Sequence, residues 1–245
     1  MRGDDVVELQ SLLARLGFDC GRIDGICGPD TIAALRDFQR NSGLPDDGVC
    51  GHDTVRALEV LGRQSGSGPG VVSVREVVRL STGNRSLSHL RIVIGEFGGY
   101  SALARQVMMA LRQRSAAAIT TSDPDAATQA RTANRFSAHA FVGFEAVPES
   151  TSVIHHFAVP GFESAGGRSL ARHIAASASR PLRPDSIERV GLRLPILRET
   201  RMPAVLWRLG PVDQVVTMTP VIAATVVRGV ERWVAAPVDP TSADS

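Results

Sequence analysis

An eight-residue pattern occurs twice near the start of the chain. Asp24-Gly25-Ile26-Cys27-Gly28-Pro29-Asp30-Thr31 returns as Asp47-Gly48-Val49-Cys50-Gly51-His52-Asp53-Thr54, 23 residues later. So short a period leaves room for one turn and one helix per copy, which predicts loop-helix units that share a small core. In each copy Asp-Gly suits the turn and the second glycine suits a close approach to a helix start. Threonine falls in the first helical turn, where its hydroxyl can serve the free N–H groups. Pro29 fits the first helical position of copy one. Upstream, Asp5 and Glu8 have the spacing of a capping box, and Val6, Leu9, Leu12, Leu13 and Leu16 form a helical stripe closed by Gly17. Ile32, Leu35 and Phe38, then Val55, Leu58 and Leu61, supply inward faces for two more helices. A three-helix domain over residues 1–61 is the expectation.

Residues 62–89 read as linker and connector, because Gly62 to Gly70 is a Gly/Ser/Pro hinge that cannot sustain a helix. Residues 90–236 then alternate between the two periodicities. Arg91 to Ile94 predicts a strand ending at Gly95, and Ser101 starts a helix with Leu103, Val107 and Leu111 inward. Strands follow at Ala117–Thr121, Ala138–Phe144, Val153–Val159 and Pro203–Leu209, with helices at Asp125–Phe136, Gly167–Ser179 and Pro220–Val234. The fold class is therefore α/β, a mainly parallel sheet with flanking helices, its functional edge beyond the strand C-termini. Residues 237–245 read as a disordered polar tail.

Composition narrows the function classes. The 245 residues carry a net charge of +2, and every basic side chain other than histidine is arginine. Without a basic stripe, nucleic acid is excluded as a partner. No apolar run approaches the ~20 residues that span a bilayer. The first residues lack the features of an export signal, so a cytoplasmic location is expected, with the cell wall as the alternative. Cys20, Cys27 and Cys50 are too few for a secreted disulfide framework and read as buried thiols.

Residues from Arg2 to about Leu61 resemble the three-helix peptidoglycan-binding domain of bacterial cell-wall hydrolases. The likeness rests on Val6-Val7-Glu8-Leu9-Gln10, Leu16-Gly17, Phe38-Gln39, Gly43-Leu44 and the two Asp-Gly repeats. It implies peptidoglycan or its precursors as ligand, with Asp24, Gly25, Gly28 and Thr31, and Asp47, Gly48, Gly51 and Thr54, as candidate binding residues. From about Arg91 to Val234 the chain resembles the catalytic domain of zinc-dependent N-acetylmuramoyl-L-alanine amidases. That likeness is carried by Arg131-Thr132-Ala133-Asn134, Ala138, Leu170-Ala171, the run Leu197 to Leu206 ending in Met-Pro-Ala-Val-Leu, and Gly229 with Trp233.

The amidase resemblance implies two histidines and a glutamate on zinc, and a second glutamate as general base. At the matching positions this chain has Phe97 for the first histidine, Tyr100-Ser101 for the loop with the ligand glutamate, Glu145 for the second histidine and Arg208 for the base. A phenyl ring cannot ligate a cation, and a permanently protonated guanidinium cannot accept a proton from water. No catalytic residue, metal site or cofactor is therefore expected, and Glu145 is expected to pair with Arg208. Glu96, Glu145, His139, His155 and His156 are the candidates for a rebuilt metal site, although adjacent residues on a strand point to opposite faces. His52, His89 and His173 read as surface histidines. The resemblance implies a catalytically inactive amidase-like protein, similar to actinobacterial regulators of cell-wall synthesis that act through a protein partner such as a synthesis enzyme. The competing expectation is amidase activity with a non-standard metal site.

Overall fold

Three helices, α1 (Asp4–Arg15), α2 (Pro29–Asn41) and α3 (His52–Gln64), form one of two units in the computed structural model. The described residues are 2–64, 80, 86–159, 162–182 and 186–238. Helix α3 runs three residues into the expected hinge, through Gly62, Arg63 and Gln64, so the helix ends later than the sequence pattern implied; the rest of the hinge, most of the connector and most of the tail fall outside the described residues. Leu13, Leu16, Leu35, Phe38 and Leu58 fill the bundle's core, where the rings of Phe18 and Phe38 meet edge to face at 5.4 Å. Such contacts between aromatic edges and faces add to plain burial. Val55 is exposed rather than inward, because the third helix buries the stripe of Leu58 with Ala57 and Leu61 instead.

The expected capping box is not made. Helix α1 begins at Asp4, and its N-cap is Gly3, two residues before the expected Asp5, at a φ of +151° and with no side-chain cap. The entry is tied down by the repeat instead: Gly3 N–H donates to Gly25 C=O at 3.1 Å, and Arg2 bridges to Ile26. Asp4 and Asp5 then sit in the first turn, where acidic charge favours the helix dipole.

Among the described residues seven strands make one sheet: β1 (Arg91–Phe97), β2 (Ala117–Thr121), β3 (Ala140–Ala146), β4 (Ser152–Val159), β5 (Phe162–Glu163), β6 (Glu188–Leu192) and β7 (Ala204–Leu209). Their order is β2-β1-β3-β7-β4-β5, with β6 also on β4. The first four in that order are parallel, as expected. Strand β4 departs from the pattern, running antiparallel to β7 and parallel to β6. The helices are α4 (Ser101–Gln113), α5 (Ala126–Arg135), α6 (Ala165–Ala176), α7 (Pro195–Glu199), α8 (Val212–Thr217) and α9 (Thr219–Ala235). Strands β5 and β6 and the short α7 and α8 are not legible in the sequence pattern: two to six residues complete neither periodicity, and β6 carries Glu188, Arg189 and Gly191 at an edge.

Alternation along the strands divides the core into two layers. Ile92, Ile94, Val142, Phe144, Val205 and Trp207 pack under α4, α6 and α9. Val93, Phe141, Ala204 and Leu206 pack on the other face with Ala130 and Ala133 of α5 and Ile196 and Leu197 of α7. Asn134 joins α5 to α7 by donating to Glu199 C=O at 2.9 Å and accepting from Arg201 N–H at 3.0 Å. The positions that suggested an amidase here are thus packing and bracing residues.

Candidate functional site

In the bundle, the two Asp-Gly loops are each held by one buried glutamine. Gln10 sends its Nε2 to Arg22 C=O, Ile26 C=O and the Thr31 hydroxyl, while its Oε1 accepts from the N–H groups of Asp24 and Gly25. Gln39 repeats this, with Nε2 on Asp47 Oδ1, Val49 C=O and Thr54 Oγ1 and Oε1 on Gly48 N–H. The threonine hydroxyls are therefore spent on the glutamines rather than on helix N–H groups. Leu9-Gln10 and Phe38-Gln39 both belong to the motifs that carry the peptidoglycan-binding resemblance. They lie at unequal distances from their loops, so spacing alone did not reveal the shared role.

The first glycine of each loop is the one that cannot be replaced. Gly25 and Gly48 have φ of +70° and +75°, and a Cβ there would meet Val7 at 3.0 Å and Arg36 at 2.8 Å. Gly28 and Gly51, expected to allow a close approach, have nothing within 4 Å of such a Cβ; they serve as helix entries. The Asp24 carboxylate accepts from Ile26 N–H, and Asp47 does the same for Val49. These backbone bonds, followed by the glutamine amides, hold both carboxyls below the usual 3.8. Thr31 and Thr54, two of the candidate binding residues, are buried, which closes their side chains to a ligand. A separate cleft of about 550 Å³ runs between the end of α2 and α3, with Phe18, Phe38 and Val60 below and Asn41, Asp53 and Arg56 at its polar rim. None of the eight candidate repeat residues lines it.

The thiols divide by exposure. Cys20 is buried, but Cys27 is only half-buried and Cys50 is exposed, because the latter two precede helix entries at the surface.

In the α/β unit, β1 continues through Gly95 to Phe97 instead of ending at Gly95, since β3 still pairs with it at Glu96 and Phe97 after the pairing with β2 has ended at Gly95. Pairing sets Phe97 beside Glu145 and Glu145 beside Arg208. Register partners in a parallel sheet share a face, so the three side chains stand in a row at the C-terminal edge. Arg208 Nε lies 3.0 Å from Glu145 Oε2, with both side chains more than a third exposed. The expected ion pair is present.

The remaining candidates for a rebuilt metal site do not converge. Glu96 points to the opposite face from Phe97, where its carboxylate accepts from Ser101 Oγ at 2.8 Å and from Tyr100 N–H at 3.4 Å. It closes the entry to α4. Tyr100 is buried, and its hydroxyl donates to Leu209 C=O at 2.8 Å. His139 is at the other end of the sheet, its Nδ1 accepting from Arg91 N–H. His155 and His156 are both buried and pair with Leu206 and Val205 respectively, so they face opposite layers. His155 lies on the layer of Glu145 and Arg208. Burial pushes its pKa down, and Arg208 adds to that fall while Val190 C=O and Glu145 oppose it. Its Nδ1 is buried without a hydrogen-bond partner. His52 and His89 are exposed as expected, but His173 is buried, with Nε2 2.9 Å from Ala236 C=O.

Among the described residues no three His, Cys, Asp or Glu side chains are grouped to hold a metal ion. The residues at the positions expected from the resemblance do not suit zinc: the Phe97 ring offers no ligand, and the Arg208 guanidinium pairs with the Glu145 carboxylate. A dication placed beside that guanidinium would be repelled.

Comparison with known proteins places the bundle. Residues 2–58 match the family model described as "Putative peptidoglycan binding domain". A spore cortex-lytic enzyme of Bacillus cereus is 53% identical over 45 residues, 18% of this chain and 17% of that protein. The counterpart from Oceanobacillus iheyensis is 51% identical over 45 residues, 18% of this chain and 16% of its own length. The chain thus spans only about 17% of the length of the curated relatives it matches. Among solved structures, the N-acetylmuramoyl-L-alanine amidase AmiC2 of Nostoc punctiforme is similar at a TM-score of 0.46 and 16% identity, covering 62% of this chain and 99% of that one. The N-acetylmuramoyl-L-alanine amidase from Clostridium difficile 630 is similar at 0.46 and 16%, covering 60% and 98%. Likeness at that level carries nothing about chemistry.

Proposed function

We propose that this chain binds peptidoglycan or its precursors through the three-helix bundle, and that its α/β unit is an amidase-like scaffold that regulates cell-wall synthesis through a protein partner without hydrolysing an amide. The observation that carries this reading is the row Phe97, Glu145, Arg208. It sits where the amidase resemblance requires zinc ligands and a general base, and it supplies an apolar ring and a closed ion pair. A phenyl ring offers zinc no ligand, and a carboxylate engaged by a permanently charged guanidinium is a weak base toward water. For the bundle, the support is the matched family model together with an apolar cleft that has a polar rim, a shape suited to a sugar-peptide ligand.

A second reading, N-acetylmuramoyl-L-alanine amidase activity with a non-standard metal site, draws on one feature: the buried, partnerless Nδ1 of His155 on the same layer as Glu145. One experiment separates the two. The full chain, purified without chelator and loaded with zinc, is assayed for metal content, for release of stem peptides from peptidoglycan, and for co-sedimentation with peptidoglycan sacculi. Sedimentation without stoichiometric zinc or peptide release supports the scaffold reading. Zinc at one equivalent with hydrolysis abolished by His155→Ala establishes the second.

A further inference from the structure

Helices α6 and α9 of the α/β unit are pressed together where Gly229 faces Ile174, with no room between them for a Cβ. Where α6 ends, the segment from Ala176 to Ser179 and one ridge of α9 enclose a cavity of about 530 Å³. The ridge carries Val221, Ala224, Arg228 and Arg232, spaced three or four residues apart and so on one helix face. Its first half is apolar and its second half is cationic. The described lining contains no aspartate or glutamate. Glu231, the carboxylate nearest in sequence, is paired with Arg114.

Both guanidiniums are fixed by the end of α6. Arg228 donates from one terminal nitrogen to Ser177 C=O at 2.9 Å, and Arg232 donates in the same way to Ala176 C=O at 3.0 Å. Cations suit the last carbonyls of a helix, so each arginine has a structural duty. That duty takes one N–H of the five on each guanidinium, and among the described residues neither arginine is in an ion pair. The two stand one helical turn apart, about 6 Å along the axis, where like charges repel. An anion bound between them removes that repulsion. Ser177 lines the same cavity and is 5% exposed. Its Oγ is buried without a hydrogen-bond partner, although buried hydroxyls normally have one.

We infer that this groove is a ligand site for a phosphate monoester carried on an aliphatic chain. Arg228 and Arg232 take the phosphate, whose near-double charge and three terminal oxygens match two guanidiniums better than a single carboxylate does. Ser177 supplies a hydroxyl donor, and the chain lies along Ala178, Ala224 and Val221. The volume is within the range of small-ligand pockets. The site uses no residue of the Phe97–Arg208 row, so it holds whether that row is a scaffold or a catalytic edge. A soluble phosphate ester and a lipid with a phosphomonoester head share this chemistry.

The probes are n-hexyl phosphate, 1-hexanol and inorganic phosphate, titrated into the full chain by calorimetry and followed in NMR spectra. n-Hexyl phosphate is expected to bind with a Kd of about 1 mM or tighter, about tenfold or more tighter than hexanol or inorganic phosphate, and more weakly as salt is raised. The backbone resonances expected to move are those of Ala176 to Ser179 and Val221 to Arg232. Arg232→Gln, at an exposed position, is expected to weaken binding about fivefold or more and Arg232→Lys to restore part of it. Ser177→Ala removes a hydroxyl that bonds nothing in the fold, so it is expected to leave the melting temperature level while weakening binding about threefold. Arg105→Gln, on the exposed face of α4, leaves binding unchanged. Phosphatidylcholine vesicles with and without phosphatidate separate the two sources. Capture by phosphatidate vesicles that Arg232→Gln reduces assigns a lipid, and binding of hexyl phosphate without such capture assigns a soluble ester. Hexyl phosphate that binds no better than hexanol or inorganic phosphate, or shifts confined to other residues, overturns the proposal in the wild-type protein alone, whatever the variants do.

Discussion

Glu145 and Arg208 are register partners on neighbouring parallel strands, and their pairing is a matter of charge at an exposed edge. Because both side chains are more than a third exposed, the pair is worth no more than about 1 kcal/mol. Arg208→Glu is expected to destabilise the α/β unit by about that amount through like-charge repulsion, and the exchange Glu145→Arg with Arg208→Glu to recover it. A double-mutant cycle by thermal or urea unfolding measures the coupling; additivity within error would mean there is no ion pair in solution. The glutamines of the bundle are a different case. Gln10 and Gln39 are 1% exposed and satisfy several buried backbone groups each, so removing one strands the others. Gln10→Ala or Gln39→Ala should cost about 2–3 kcal/mol, read as loss of the bundle's unfolding transition at growth temperature. Asp24 and Asp47 add a pH dependence with a definite sign. Their folded pKa values are lowered, so their contribution is complete above the unfolded value near 3.8 and fades as pH falls through it toward the folded value. The bundle's melting temperature should therefore stay level from neutral pH to about pH 5 as far as these groups are concerned, then drop below about pH 4. Asp24→Asn with Asp47→Asn should flatten that drop.

Element packing shows where glycine is required by a neighbour rather than by its own backbone. Gly229 lies in α9 against α6, and a Cβ there would meet Ile174 backbone atoms at 2.6 and 2.9 Å. Helix propensity favours Gly229→Ala by about 1 kcal/mol, but overlap with backbone cannot be relieved by a rotamer change. The net expectation is destabilisation by about 2 kcal/mol, with the urea midpoint of the α/β unit as the measure. In β1 and β3, Gly95 and Gly143 lie beneath the ring of Phe141, which a Cβ would approach to 2.4 and 3.0 Å. This ring covers the layer that ends at the Phe97–Arg208 row, so the two glycines shape the edge without offering it any functional group. In the sequence they read as a strand end and a neutral strand position; only the cross-strand neighbour explains them.

Across the whole molecule, the reading of a binding protein makes a prediction for the bundle cleft. Arg56 and Val60 line it and neither belongs to the loop repeats. Val60→Asp, at an exposed position, should reduce co-sedimentation with peptidoglycan sacculi about tenfold while leaving thermal unfolding unchanged; full retention would move the contact back to the Asp24 and Asp47 loops. The repeat, the apolar stripes and the strand-helix alternation were legible from one dimension because each is a local periodicity that burial enforces. From them came the helical bundle, the α/β class and four of the parallel strands nearly in place. The ion pair was legible too, but only through a resemblance that aligned Glu145 with Arg208. What the chain alone could not disclose were relations between distant residues: Gln10 and Gln39 closing loops at unequal separations, β4 reversing direction beside β7, Glu96 turning away from Phe97 to cap α4, and His173 burying itself against Ala236. The groove between Ser177 and Arg228 belongs to the same group, since those residues are 51 apart in sequence. Periodicity is written along the chain. Proximity, and with it the environment that pairs an arginine with a glutamate across two strands or turns a glutamate onto a helix entry, exists only once the layers are packed.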